Sequence, residues 1–359
     1  MSGTSLDDIN TVVANIQNNQ FTLLATHHEP YPAELRARLR KLIETQETSL
    51  QNLGTLDHQL ALSYAGSVHT LLKKTRLTPS DINAIGCHGQ TICHHPHPPY
   101  PFTIQLGDPN LLAARTGIPV VFDFRRLDMA LGGQGAPLAP LFHQAVLSKQ
   151  GVRRAIINLG GIANVSLLDG HRIVSGFDVG PANALLDAWI LKHQHLAYDA
   201  EGAWARSGHT DVDLLRRFLQ DPYFHRPPPK STGKEYFNLR WIEQHGADSL
   251  VPSNVQATLT ELTAETLVRA WPLSNFAPEE LYLCGGGALN TYLRERIAAL
   301  SKLPTHTTEA LGVYPTWVEA ALMAWLCAQH CEKKSLALQC ITGSQKSFIP
   351  GCYQKNIFA

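Results

Sequence analysis

Apolar positions recur every three or four residues through "HQLALSYAGSVHTLLKK", where Leu60, Tyr64, Val68 and Leu71 fall on one stripe, and "ELRARLRKLIE" has the same period. That spacing predicts two amphipathic helices. Beyond them the pattern shortens to apolar runs closed by turn residues. A buried strand is expected over Ile82–Cys87, ending in the polar turn His88–Gln90, and "IPVVFDFR" gives a second. Helices alternating with such runs argue for an α/β chain with a largely parallel sheet.

After a Gly-rich stretch at 125–137, where a domain junction is expected, the period becomes that of strands. "RRAIINLGGIANVSLLDGHRIVSGFD" reads as Ala155–Leu159, Ala163–Leu168 and Arg172–Asp178. Gly160-Gly161 and Asp169-Gly170 are turn signals, so the three strands form an antiparallel meander. Asn183 is then a suitable N-cap for "ALLDAWILKH". Asp178 is thereby placed at a strand's carboxyl end beside a helix N-terminus, where open α/β sheets present ligand-binding groups. "PEELYLCGGGALNTYLRERIAAL" gives a strand, three glycines and a helix, and "WVEAALMAWLCAQ" is apolar on nearly every face, as a buried helix would be.

Composition narrows the partners. A chain of 359 residues, 44% hydrophobic and 17% charged, exceeds what one core usually holds, so two domains are expected. Thirty basic residues balance thirty acidic ones, which leaves no field to draw nucleic acid or an anionic membrane surface and favours a small-molecule substrate. Seven Cys without paired spacing suit reduced thiols. The first twenty residues lack the basic start and apolar core of a signal peptide, and no apolar run reaches membrane-spanning length, so a cytoplasmic location is expected.

Single motifs fail one by one. "STGK" (Ser231–Lys234) lacks the glycine of a Walker loop, because Pro228 occupies its place and Glu235 follows the Lys. The same residues satisfy Ser-x-x-K, but the companion Lys-Thr-Gly is absent. Asn290 stands where a dinucleotide fingerprint needs its third glycine. "CHGQTICHHPH" gathers Cys87, His88, Cys93, His94, His95 and His97, yet no two Cys have the spacing of a structural zinc site. A polar loop with incidental histidines is the simpler reading, and no protein-held metal is expected.

The order of features is more informative than any one. A hydroxyl-rich turn, a Gly-Gly hairpin, an Asp at a strand end, a Gly-rich strand-to-helix turn and a late buried helix together resemble the sugar kinase, heat-shock ATPase and actin superfamily. Within it, "MSGTSLD", "GCHGQTICHHP", "FDFRRLDMALGGQGAPLAP", "NLGGIANVS", "GFDVGPANALLDAW", "YDAEGAWARSG", "PPKSTGKEYFN" and "LCGGGALN" resemble the anhydro-N-acetylmuramic acid kinase family, in the right order from Met1 to about Gln354.

The resemblance implies a two-domain actin-like, ribonuclease H-like α/β fold with an interdomain cleft, one domain from 1–125 with about 336–359 and the other from 126–335. It implies ATP and Mg²⁺ (the metal carried by the nucleotide), a homodimer, and a reaction of cell-wall recycling. Water opens the 1,6-anhydro ring while O6 takes the γ-phosphate, giving N-acetylmuramate 6-phosphate and ADP. Carried over residue by residue, Asp178 is the catalytic base. Ser2, Gly3, Thr4, Ser5, Asn158, Gly160 and Gly161 bind ATP phosphates, and Gly285, Gly286, Gly287 and Asn290 bind adenosine. Asp7, His88, Gln90, Thr91, Arg125, Asp128, Gly180, Pro181 and Asn183 bind the sugar. The family carries a short apolar strand ahead of the Met1–Ser5 turn, so covalent support for that cradle is expected upstream of Met1. Asp8, Ala182 and Thr316 stand where the family commonly has Gly, Gly and Asp.

Simpler readings remain open at each position. Asp178 suits a turn cap as well as a base, and His88 and Gln90 suit a buried turn as well as an N-acetyl or lactyl group. Arg125 and Asp128 suit a junction ion pair, although an Arg also matches the lactyl carboxylate. Trp189 and Trp204 read as core, and Lys234 and Glu235 as solvated charges. Rival functions are an amino-sugar or hexose kinase acting on a free hydroxyl, and an ATP- or sugar-binding sensor without turnover.

Overall fold

The computed structural model describes residues 1–3, 6, 8–17 and 20–355. Its contacts divide the chain into two units, Met1–Leu138 with Glu319–Ala359, and Ala139–Val318. The first boundary lies just past the Gly-rich stretch. The helix Val318–Cys331, which the sequence reading put in the second domain, packs with the first unit from Glu319 onward.

In the first unit the predicted helices are Ala33–Thr45 and Leu50–Thr75, the latter started by Ser49, whose hydroxyl accepts from Asn52 N–H. Their apolar stripes meet in a core containing Leu35, Leu39, Leu42, Leu56, Leu60 and Tyr64. Of the run Ile82–Cys87 only Ile85–Gly86 is paired as a strand, parallel to Val120–Phe122, which in turn pairs antiparallel with Cys352–Gln354. Gln90–His95 and Phe102–Leu106 form a separate hairpin.

Asp8–Gln17 pairs with Gln20–Pro30 along one edge. On its other edge Ser2 bridges Ile9, and Asn10 exchanges both backbone bonds with Met1 at 2.8 Å. Beyond that bridge an apolar cavity of about 610 Å³ separates the strand from Ile82–Cys87, walled also by Val68, Leu72, Met323 and Cys327. Burial lowers the pKa of the Met1 ammonium at its rim. A short apolar strand fused ahead of Met1 would turn that ammonium into a neutral amide, continue the ladder past Asn10 and bury its side chains in the cavity. Calorimetry should register a higher Tm, each kcal/mol gained moving it by about 2–4 °C. An unchanged Tm would refute the pairing.

In the second unit the meander is present as Arg153–Leu159, Ile162–Asp169 and Arg172–Pro181, longer than the sequence indicates at both ends. The tighter turn is Gly170–His171, with Gly170 at φ 56°, one residue later than expected. Glu280–Cys284 and Thr305–Thr307 complete a five-stranded sheet. In chain order the strands stand in space as 5-4-1-2-3. Pairs 1–4 and 4–5 are parallel, and pairs 1–2 and 2–3 antiparallel. This is the ribonuclease H-like order of an actin-like unit. The sheet is mixed, not largely parallel, because two-residue turns leave no room for crossovers. The helix Pro252–Ala270 is buried along most of its length and joins Leu267 to a core of Leu159, Val165, Phe177 and Leu283.

Candidate active site

The strand-end hairpin at Gly160-Gly161 is built around its glycines. Its carbonyls are occupied: Gly160 O accepts from Asn183 N, and Gly161 O accepts from Ala182 N and Ala184 N, at 3.0–3.1 Å. The N–H groups of Gly160 and Gly161 donate to no described residue. The helix Asn183–Gln194 therefore directs its first N–H groups into the back of the turn, adding the positive end of its dipole to a loop with two N–H groups to spare. A phosphate oxygen fits that donor set.

Asn183 does not cap this helix as expected. Ala182 holds the cap position without a side-chain bond, and Asn183 Nδ2 donates 2.9 Å to Leu159 O, tying helix to strand. The same strand end receives the triple glycine. Gly285 has φ 79°, and a Cβ there would come within 2.8 Å of Leu159 O; one on Gly287 would come within 2.7 Å of Leu159 Cβ and 2.8 Å of Asn183 Oδ1. A Cβ on Gly286 would meet only Asn183 Nδ2, at 4.0 Å. The glycines thus bring the turn against the hairpin, with Asn158 beside them. Asn290 caps the helix Thr291–Ser301 through Leu293 N–H at 2.9 Å, so its oxygen is engaged away from a ligand.

Asp178 lies on Arg172–Pro181, half-buried, and its backbone and side chain are held by one segment. Its N–H donates to Lys230 O (3.2 Å), its C=O accepts from the Tyr223 hydroxyl (2.7 Å), and Oδ2 accepts from Thr232 N–H (3.2 Å). Burial raises its pKa to about 6; the Thr232 N–H opposes the shift, Glu235 adds to it, and Lys230 opposes it. Lys230 lies over the rings of Tyr223 (4.7 Å) and Phe177 (5.9 Å), and burial lowers its pKa to about 8. A turn cap would spend the carboxylate on the following N–H groups; among the described residues this one takes its one N–H from Thr232, 54 residues away. Gly180 and Pro181, further along the strand, are buried, with Pro181 O accepting from Thr263.

Asp221 anchors that segment. Buried, it accepts from Tyr223 N–H (2.9 Å), Trp241 Nε1–H (2.8 Å) and the Tyr236 hydroxyl (3.0 Å). Sequence reasoning missed Tyr223, Lys230, Thr232 and Asp221. For Lys230 and Thr232 the one signal was the block "PPKSTGKEYFN", whose Ser-x-x-K lacks its companion motif; Asp221 and Tyr223 lie outside that block.

In the first unit, Ser2 is buried against Tyr64 (hydroxyls 2.8 Å apart) and Gly3 O accepts from Leu6 N; Thr4, Ser5 and Asp7 lie outside the described residues. His88 Nδ1 donates to Gly89 O (2.8 Å) and its Nε2 accepts from Arg125 Nε (2.9 Å), which fixes a neutral tautomer; burial and Arg125 lower its pKa to about 3. Arg125 also donates to Gly135 O (2.7 Å) and makes no ion pair with a described residue, and burial lowers its pKa to about 10. Asp128 makes no salt bridge with it, although each charge acts on the other. That carboxylate is fully buried and takes Gly135 N–H (2.6 Å) and the Thr342 hydroxyl (2.7 Å), so both oxygens are spent on the fold. Gln90 accepts from Tyr31 and donates to Thr91 O, and Thr91 accepts from Gln105. His88 borders a polar cavity of about 300 Å³ with Asp57, Gln105, Asn110, Asp123 and Arg126. Trp189 is core, its Nε1–H on Pro252 O.

The sequence model of the family described as "Anhydro-N-acetylmuramic acid kinase" matches residues 1–355. A protein of that name from Coxiella burnetii is 46% identical over 355 residues, covering 98% of this chain and 95% of its own length. One from Haemophilus influenzae is 45% identical, covering 97% and 94%. Among solved structures, the activator of the 2-hydroxyisocaproyl-CoA dehydratase from Clostridium difficile with bound ADPNP is similar at TM-score 0.45 and 13% identity, over 92% of this chain and 99% of that one.

Proposed function

The chain belongs to the anhydro-N-acetylmuramic acid kinase family, and from that premise we propose how its residues divide the reaction. Asp178 takes a proton from the water that attacks the anomeric carbon of the anhydro sugar. The bond from that carbon to O6 breaks, O6 attacks the γ-phosphorus of ATP, and ADP leaves. The acetal oxygen has no proton to lose, so ring opening must supply the nucleophile, and a base for the water is the one proton acceptor required.

The observation that carries this reading is the conjunction of a half-buried carboxylate, held by Thr232 N–H, with a hairpin whose Gly160 and Gly161 N–H groups donate to no described residue and suit phosphate. Both belong to one unit and are linked through the segment 230–234. Mg²⁺, bound with the nucleotide, would neutralise charge on the phosphoryl oxygens. Arg125, half-buried and without a salt bridge to a described residue, although the charges of Glu319 and Asp128 act on it, supports recognition of the lactyl carboxylate. His88 holds that guanidinium from behind.

The experiment is turnover with ATP, supplying either the anhydro sugar or ring-opened N-acetylmuramate, across pH 5–8. Phosphorylation of the anhydro sugar and not of the opened one is expected; the reverse would favour a kinase acting on a free hydroxyl. A base must be ionised to work. With Asp178 raised to about 6, kcat/KM should be level above pH 7 and fall about tenfold per unit below 6. A profile flat down to pH 5 would remove Asp178 from the role.

A further inference from the structure

Lys234 was expected to be a solvated surface charge. Lys234 is exposed, and its stem also lies against the phosphate hairpin: a Cβ on Gly161 would stand 2.5 Å from Lys234 Cε and 3.4 Å from Nζ. A side chain at that position would push the end of the lysine off the turn. The ammonium has no ion pair and no hydrogen bond with any described residue, although Glu235 is its neighbour in sequence. Its loop is nonetheless anchored. Gly233 O accepts from Tyr236 N and Phe237 N (3.2 and 3.1 Å), Tyr236 is tied to Asp221, and Thr232, two residues back, donates to Asp178. A cation on an ordered loop, beside a turn whose two N–H groups donate to no described residue and two residues from the base's own donor, is placed for an anion that neither contact alone would hold.

We infer that Lys234 is the cation of the phosphoryl transfer, binding the γ-phosphoryl group over Gly160-Gly161 and following its charge from ATP to O6. The inference rests on the kinase reading above and adds a residue to it. Charge spreads over the transferring oxygens in the transition state, so a fixed ammonium there acts on kcat more than on binding of the sugar. The segment 230–234 then couples the two half-reactions, since Thr232 holds the base for ring opening and Lys234 the group that O6 attacks.

Lys234→Met keeps the stem over Gly161 and removes the charge; Lys234→Arg keeps the charge. For Lys234→Met, kcat should fall about 10²-fold, with Tm and KM for the anhydro sugar unchanged, and Lys234→Arg should recover most of the loss. Calorimetric titration should show a non-hydrolysable ATP analogue bound about tenfold more weakly by Lys234→Met and ADP bound as by wild type, a charge-assisted contact being worth at least that factor. A Met variant within threefold of wild-type kcat overturns the inference. Equal weakening for ADP and the analogue also overturns it, because the lysine would then hold the phosphates that stay behind. Absence of wild-type turnover would count against the kinase reading, and the two titrations would still decide for or against the lysine.

Discussion

Asp178→Asn is expected to lower kcat by about 10²–10⁴-fold with little change in KM for either substrate, the range typical of a lost general base. The side chain keeps its size, and its amide oxygen can still accept the Thr232 N–H that now bonds Oδ2 at 3.2 Å. What disappears is the ability to take a proton. Linkage gives a second signature. The folded pKa lies at about 6, above the ordinary carboxylate value, so the folded protein binds this proton more tightly than the unfolded chain does. The carboxyl's contribution to stability is therefore full below about pH 4 and is lost as pH rises through 6. The Asn variant carries no charge to bury. At pH 7.5 it should melt at or above wild type, and at pH 4 that advantage should vanish. A turn cap predicts otherwise: Asn would retain near-full rate and Asp178→Ala would lose stability. An Asn variant within threefold of wild-type kcat excludes the base.

The meander around that residue was legible because turn chemistry is local. Gly160-Gly161 and the turn at Gly170 punctuate three strongly apolar segments, and no tertiary contact was needed to see them. Ile82–Cys87 was overextended for the opposite reason: an apolar run cannot report whether a partner strand lies beside it, and only Ile85–Gly86 finds one. Asn183 has the right residue type for a cap, but the hairpin carbonyls already receive the first N–H groups of its helix, which frees the side chain to bond Leu159 O. Asp128 was read on the sugar through the family resemblance, with an ion pair to Arg125 as the simpler reading; its hydrogen bonds go to Gly135 and Thr342, the latter 214 residues away, and no spacing rule announces them. The segment 221–241 was the least legible. Its contacts to Asp178 and Gly161 are made through backbone groups, the Tyr223 hydroxyl and a lysine stem, which leave no spacing rule in the sequence.

Asp221→Ala is expected to be the most destabilising single change in that segment, and to impair catalysis without touching a substrate. One buried carboxylate holds Trp241 Nε1–H, the Tyr236 hydroxyl and Tyr223 N–H. Removing it leaves the Trp241 and Tyr223 donors unpaired away from water, at about 1–3 kcal/mol each, and frees the exposed Tyr236 hydroxyl to water. At about 2–4 °C per kcal/mol in a unit of this size, Tm should drop by roughly 10 °C. The rate should fall as well, since Tyr223 fixes Asp178 O and the chain between Tyr223 and Tyr236 carries Lys230, Thr232 and Lys234. Tyr236→Phe separates the two effects. It deletes one donor, leaves Asp221 with Trp241 and Tyr223, and should cost only about 0.5–1.5 kcal/mol, so the variant stays folded at assay temperature. If the knot positions the base, Tyr236→Phe should lower kcat several-fold at unchanged KM and unchanged secondary structure by circular dichroism. Wild-type kcat in Tyr236→Phe, together with a wild-type Tm in Asp221→Ala, would show that the loop is held by other contacts and that Asp178 does not depend on it.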